Sequence, residues 1–233
     1  MSLLSSHNPV QYTQKGSKVE QSEVSDPLFR VSDLEIFQIP AFSDRMTRLR
    51  SEISPKLLRL GESLIQPLSK LTGEDLYIHL AKHLRRTVNP PVTTWVAFAR
   101  TKRAYKPTVH FRVALSGEGL RTTVFVEDYA EDKLKFAEAL CSNASEISEH
   151  LLNHPAIKSY SIPDMVSKAD ELHIIDLSDR LRKIKSQHAV FGIELAGKKL
   201  LKLGEQAIVR SVLKSVKELL PLYNCGLPNS SGS

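Results

Sequence analysis

Cysteine is scarce in this sequence, and the marks of exported or membrane proteins are missing. Cys141 and Cys225 are too few for a disulfide framework, so we expect both to be reduced thiols. The first residues lack the charged and apolar regions of a signal peptide. No apolar run approaches the ~18 residues that a membrane helix needs. We therefore expect a soluble, cytoplasmic protein that does not enter a membrane.

Phosphate-loop and nucleophile motifs are also missing. The ten glycines form neither the full phosphate-loop motif GxxxxGK[ST] nor GxGxxG, so a P-loop enzyme or a dinucleotide-binding domain is not predicted. The sequence contains no GxSxG, and Cys141 falls in a helical apolar stripe, which favours packing over catalysis. No catalytic residue is evident, and we predict neither a cofactor nor a bound metal.

What the sequence does contain is a concentrated positive charge. Lys and Arg number 32 against 26 Asp and Glu, which gives a net charge of +6. Residues 76–117, called the basic segment below, hold eight cations and no acid, so the rest of the chain carries 6 − 8 = −2. The eight are Lys82, Arg85, Arg86, Arg100, Lys102, Arg103, Lys106 and Arg112. Such an excess favours a phosphate-bearing partner, with a merely solvated surface as the alternative.

The hydrophobic pattern predicts a single α+β domain over residues 28–224. Residues 1–27 are polar and aperiodic, which predicts a disordered tail, and residues 225–233 are predicted to be a flexible C-terminus. Alternation predicts strands at 34–39, 93–99, 109–115, 122–126 and 189–195, with a loop or short strand near 157–162. Spacings of three and four predict helices at about 43–64, 72–86, 134–151, 178–187 and 208–220.

Dense matches link the chain to a known family. Leu71-Thr-Gly-Glu-Asp-Leu76, the stretch from His79 to Pro91, and Phe191-Gly-Ile-Glu-Leu195 resemble the YktB family of bacterial proteins. The resemblance covers about residues 34–223. It implies an α+β fold like that of the TATA-box-binding protein, a curved antiparallel sheet backed by helices, here with extra N-terminal helices. The family's function is undetermined, so the resemblance supplies no catalytic residues.

Ten residues of the basic segment are candidates for binding an anionic ligand. They are His79, His83, Arg85, Arg86, Trp95, Lys102, Arg103, Tyr105, Lys106 and His110. Lys102, Arg103 and Lys106 fall on a predicted loop, where packing does not explain their charge. Aromatic rings among cations are typical of surfaces that hold phosphates while stacking bases, although strand aromatics usually belong to the core.

The histidines of the basic segment allow two further interpretations. His79 and His83 are four residues apart on a predicted helix and would share one face, the geometry of a metal-ligand pair. A third ligand is not evident from spacing, although His110 could supply one, and the glutamate of the zincin motif is missing. Alternatively, these histidines join Arg86 and Lys106 around a phosphate, where nearby cations would keep them neutral.

Three functional hypotheses follow. The preferred one is a binding protein whose basic segment contacts nucleic acid or a smaller phosphorylated ligand. The second is an enzyme acting on a phosphorylated substrate with a histidine as acid or base, which requires His79, His83 and His110 to converge. The third is a protein-interaction module, which requires an exposed apolar patch far from the basic segment.

Overall fold

An open antiparallel sheet of six strands lies at the centre of the fold. The computed structural model describes residues 26–84, 86–161 and 170–227. The strand order is β1-β2-β3-β4-β6-β5, and every neighbouring pair is antiparallel. The strands are β1 (Tyr77–Leu80), β2 (Thr93–Ala99), β3 (His110–Ser116), β4 (Gly119–Val126), β5 (Lys158–Ser159) and β6 (Ala189–Ala196).

Helices pack against this sheet, and two of the longest, α3 and α8, contact each other as well as the strands. The helices are α1 (Val31–Glu35), α2 (Phe42–Arg48), α3 (Ser54–Thr72), α4 (Lys133–Ser142), α5 (Ala144–Asn153), α6 (Glu171–Lys183), α7 (Gly197–Leu200) and α8 (Glu205–Asn224). A 3-10 turn, Ile36–Gln38, follows α1, and a π-helical turn, Leu49–Ile53, joins α2 to α3. In the described ranges, none of the helices has the length and apolarity to span a bilayer. The predicted α+β fold, with helices backing an antiparallel sheet and extra helices before it, is confirmed.

Alternation along the strands divides the sheet into two faces. Val96 is aligned with Val113 and Phe98 with Phe111 across β2 and β3, and all four side chains are fully buried. They join the apolar stripes of α3 and α8 in one hydrophobic core. Since successive side chains point to opposite sides of a strand, the residues between them face away from these helices.

The opposite face carries aromatic and charged side chains. His79 on β1 is aligned with Ala97 on β2, which is aligned with Arg112 on β3. Trp95 and His110 fall on the same face by the two-residue period. The sheet register therefore gathers candidate residues from three strands on one surface.

Two predicted elements are wrong. The segment predicted as a strand at 34–39 is helical, because Leu34, Ile36 and Phe37 are buried from α1 and the 3-10 turn. The helix predicted at 72–86 does not form. Helix α3 ends at Thr72, and Gly73 takes a φ of 71°, the left-handed conformation that terminates helices. The chain then enters β1.

The other elements differ mainly at their ends. The helix predicted over 134–151 is two helices, α4 and α5, which meet at Asn143, and the helix predicted to begin at 178 begins at Glu171. The remaining strands are confirmed, with β5 inside the segment 157–162. Residues 1–25 of the predicted tail and residues 228–233 at the C-terminus lie outside the described residues, so those parts stay predictions.

Candidate ligand-binding cleft

A cleft opens at the β1 edge of the sheet. One chamber, of about 530 Å³, lies between β1 and the loop that joins β2 to β3. An adjoining chamber, of about 460 Å³, extends past the end of β1. The chambers share the wall residues Leu80, Lys82, Tyr105, Lys106 and Tyr129, and together they are called the cleft below. Each chamber falls within the roughly 300–1,000 Å³ typical of small-molecule sites.

Positive charge dominates the wall of the cleft. Lys82, Arg86, Arg103 and Lys106 line it, and among the described residues no Asp or Glu does. Lys106 is the one of these four with a carboxylate within ion-pair distance in the described chain, since its Nζ lies 3.9 Å from Oε1 of Glu127. The described wall of the cleft therefore carries four formal positive charges and no formal negative charge.

The wall formed by residues 100–109 is held at both ends by one carboxylate. Oδ2 of Asp132 accepts a hydrogen bond from Nη2 of Arg100 at 2.7 Å and another from the backbone N–H of Val109 at 3.0 Å. Asp132 itself is buried at the start of α4. The first and last residues of the loop are thereby fixed to the same atom, which limits how far the loop can open.

His79 attaches the beginning of this loop to β1. Its Nε2 lies 2.8 Å from the carbonyl oxygen of Thr101. Because a carbonyl oxygen only accepts hydrogen bonds, Nε2 carries the proton. The imidazole also packs against Tyr105, with 5.5 Å between ring centroids. His79 thus positions the loop while its ring lines the cleft.

A buried arginine supports the rings of Trp95 and Tyr105, which line the cleft and are called the aromatic wall below. The guanidinium carbon of Arg112 lies 3.5 Å from the ring centroid of Phe125, 5.0 Å from that of Trp95 and 5.4 Å from that of Tyr105. Contacts of this kind are attractive and gain strength when water is excluded. Trp95 and Tyr105 are therefore held from one side by the same cation.

His110 completes this support but does not line the cleft. It is fully buried, and its Nδ1 lies 2.7 Å from the carbonyl oxygen of Thr108, so Nδ1 carries the proton. Its Nε2 accepts a hydrogen bond from Nε of Arg112 at 2.9 Å, and Arg112 is also hydrogen-bonded to Glu127. Burial, and then the charge of Arg112, holds the pKa of His110 well below its usual range. It is a neutral residue whose two ring nitrogens are both engaged.

His83 lies at the far end of the cleft with a backbone φ of 50°. Its Nε2 is 3.1 Å from Oγ1 of Thr94, and its ring meets that of Trp95 edge to face, with centroids 5.2 Å apart. Partial burial, followed by the charges of Arg86 and Arg50, lowers the pKa of His83 to about 4. His83 is therefore uncharged near neutral pH.

The metal-ligand interpretation loses its structural basis. His79 lies on β1 and His83 in the turn after it, so the predicted common helical face is wrong. Within the ranges that the structure describes, no cluster of three or more His, Cys, Asp or Glu residues could hold a metal ion. The histidines instead surround the aromatic wall, His79 and His83 in the cleft and His110 beneath it.

The cleft collects most of the candidate residues. Those that line it are His79, His83, Arg86, Trp95, Arg103, Tyr105 and Lys106. Lys102 is exposed on the same loop but lines neither chamber, and Arg85 lies outside the described residues. Whether these residues bind a ligand stays a prediction.

Of the charged and aromatic residues of the wall, two are outside the set of ten candidates. Lys82 belongs to the basic segment but was assigned to a helix that does not form. Tyr129 follows β4, outside the basic segment, and is 55% exposed. A search of the sequence for clustered positive charge misses Tyr129. The signal that could have found it is an aromatic side chain in a polar loop.

Exposed apolar side chains occur inside the basic segment and elsewhere. Leu84, Val88 and Val92, on the loop between β1 and β2, are 78%, 75% and 68% exposed. Leu152 and Leu172, on α5 and α6, are 63% and 76% exposed. Because isolated exposed apolar residues are normal on soluble proteins, they do not by themselves favour the interaction-module hypothesis.

Comparison with known proteins places the described fold in a family. A family model described as a domain of unknown function, DUF1054, matches residues 29–223. A UPF0637 protein of Oceanobacillus iheyensis is 33% identical over 204 residues, which are 85% of this chain and 96% of the relative. One of Shouchella clausii is 35% identical over 205 residues, 86% of this chain and 95% of the relative. One of Bacillus thuringiensis is 30% identical over 198 residues, which are 84% of this chain and 95% of the relative.

Proposed function

This chain belongs to the DUF1054 family of domains of unknown function, and we propose that it binds a phosphate-bearing partner, nucleic acid or a smaller phosphorylated ligand, in the cleft. One observation carries the proposal: four cations and no carboxylate line the cleft in the described chain. Like charges around one cavity repel, and a bound anion relieves that repulsion.

The four cations reach the cleft from two separate loops. Lys82 and Arg86 precede β2, whereas Arg103 and Lys106 follow it. Charges on two walls can contact different oxygens of the same phosphate. The arginines offer planar pairs of donors and the lysines offer mobile point charges, and both are common phosphate ligands.

A binding experiment tests this proposal. The probes are a labelled short single-stranded oligonucleotide and inorganic pyrophosphate, each titrated at low salt. The variant K82Q/R103Q/K106Q removes three charges from the cleft, and the control K198Q/K199Q/K202Q removes three exposed charges around α7.

The expected result is weaker binding to the cleft variant and nearly unchanged binding to the control. Equal losses in the two variants would show that net charge alone attracts the probes. No binding to the wild-type protein at low salt would also contradict the proposal.

A second candidate function is an enzyme acting on a phosphorylated substrate. The observation that favours it is that the ring of His79 lines the cleft and its Nδ1 has no hydrogen-bond partner among the described residues. Such a nitrogen can accept a proton from a reacting group. The candidate predicts hydrolysis of p-nitrophenyl phosphate that is lost in His79→Gln. No turnover by the wild-type protein, or equal turnover by the variant, would count against it.

A further inference from the structure

We infer that the ligand of the cleft carries a planar ring next to its phosphate, as a nucleotide does, and that this ring stacks on the aromatic wall around Trp95. The inference rests on the proposed function and specifies the part of the ligand that the cations do not recognise. The expected ligand contains a nucleobase and a phosphate, and either a free nucleotide or a single-stranded nucleic acid can supply both groups.

Trp95 has the properties of a fixed stacking platform. It lies on the face of the sheet opposite α3 and α8, is half-buried and lines the chamber of about 460 Å³. The guanidinium carbon of Arg112 lies 5.0 Å from the Trp95 ring centroid, the imidazole of His83 lies perpendicular to the indole, and Nε1 of Trp95 donates to the hydroxyl of Tyr105 at 3.3 Å. A ring held in place before binding loses little conformational freedom when a ligand arrives.

Aromatic side chains extend over the rest of the cleft. Tyr105 and Tyr129 line both chambers, so three aromatic rings and four cations share one cavity. A site for phosphate alone needs cations and hydrogen-bond donors, and aromatic rings add nothing to that task. Rings interleaved with cations instead match the way proteins hold unpaired bases, by stacking the base and neutralising the backbone.

The same geometry disfavours duplex nucleic acid as the ligand. Inside a duplex both faces of a base are covered by its neighbours, so a side chain cannot stack on it without unstacking the helix. The aromatic wall lines the cleft, which a free nucleotide or a flexible single strand can enter. A duplex that bound as tightly as a single strand of the same sequence would therefore overturn the inference.

Trp95 is the only tryptophan of the chain, so intrinsic fluorescence reports directly on the platform. We propose to titrate the full chain with adenosine monophosphate, ribose 5-phosphate, inorganic pyrophosphate and a short single strand of deoxyadenosine. Adenosine monophosphate should quench the fluorescence and bind about 5- to 150-fold more tightly than ribose 5-phosphate, the range expected for one stacked base.

The outcomes of this titration separate the inference from the proposed function. A single strand that binds much more tightly than the monophosphate identifies nucleic acid as the source, and similar affinities identify the free nucleotide. Equal binding of ribose 5-phosphate and adenosine monophosphate overturns the inference and leaves the proposed function standing. Failure of every probe to bind overturns both.

A variant on the exposed side of the cleft gives an independent test. Tyr129 is 55% exposed, and Nζ of Lys106 lies over its ring, 6.0 Å from the ring centroid. Because the side chain is not part of the core, Tyr129→Ser should leave the fold intact. Tyr77→Ser, at an exposed tyrosine that lines neither chamber, is the matched control.

The expected result, measured by calorimetry, is that Y129S weakens adenosine monophosphate binding while leaving ribose 5-phosphate unaffected. Equal weakening of both ligands, or the same effect from Y77S, contradicts the stacking role.

Discussion

Two neighbouring cations on one loop offer a sharp test of the cleft. Arg103 lines it, and Lys102 does not. Both side chains are exposed, and neither forms an ion pair with the described residues. Replacing either with Gln removes one charge from the same loop without disturbing the core. Any difference between R103Q and K102Q therefore reports on the direction in which the charge faces.

The expected magnitude follows from the number of charges in the cleft. If all four cations contact phosphates of a single strand, log K should fall with log salt at a slope of about −2.8, from about −0.7 per contact. Between 50 and 200 mM salt the wild-type protein should then lose affinity about 50-fold, and R103Q, with a slope of about −2.1, only about 20-fold. The share of Lys106 should be smaller because Glu127 lies 3.9 Å away.

The assay is fluorescence anisotropy of a labelled short single strand, measured at four or more salt concentrations for each protein. K102Q should keep the wild-type slope, and R103Q should lose about one contact from it. If K102Q and R103Q change the slope equally, the oligonucleotide is attracted by net charge and the cleft is not its site. An R103Q slope identical to that of the wild type would refute the reasoning as well.

Three further predictions concern stability. The folded-state pKa values of His83 and His110 lie below the ordinary value for histidine, so the unfolded chain takes up protons first as the pH falls. The free energy of unfolding should therefore decrease as pH drops from about 6.5 toward 4. Urea denaturation at pH 7, 6 and 5 checks this, and a flat profile would contradict it. Asp132→Ala removes the charged acceptor that fixes both ends of the loop 100–109. It should lower the free energy of unfolding by about 1.5–3 kcal/mol and speed proteolysis within the loop. Unchanged proteolysis would argue against that role. Leu60→Ala in α3 should cost about 2–5 kcal/mol in a denaturation experiment, whereas the exposed Leu58→Ala of the same helix should cost far less, and equal effects would contradict the assigned helix face.

Much of the sheet could be predicted because its strands are marked by local chemistry. Residues 93–99 and 109–115 combine β-branched and aromatic residues with turn signals on both sides, and both are strands in the structure. The segment 34–39 shows the same alternation but is helical. In so short a segment, Leu34 and Phe37 are also spaced by three, which places them on one side of a helical turn, so the alternation alone does not decide.

The error at 72–86 has a different physical cause. Thr72 followed by acids is a typical helix start, but here it is a helix end, with its hydroxyl donating to the carbonyl of Leu68 and Gly73 in the left-handed region. The strand that follows, Tyr77–Leu80, is too short to show a period of its own. Pairing with β2, a tertiary interaction, decides its conformation.

The charge pattern of the sequence indicates the region of the cleft, but which residues line the cleft depends on the fold. The basic segment supplies all four of its cations, which an acid-free stretch indicates. Sequence does not tell Arg103 from Lys102, because the direction of a loop side chain is set by the contacts of the whole loop. Tyr129 comes from another part of the chain, and His110 is buried beneath the site although Lys102 and Arg103 of the same basic segment are exposed.

A titration followed by two-dimensional NMR tests most directly whether the cleft is the binding site. Adenosine monophosphate is added to the full chain while the single indole N–H of Trp95 and the backbone amides of residues 100–109 are observed. Saturable shifts of the indole and of the amides of Arg103 and Lys106, with Lys198 and Lys199 unmoved, are the predicted result. Shifts confined to other surfaces, or none at concentrations that saturate binding, would contradict the assignment of the cleft.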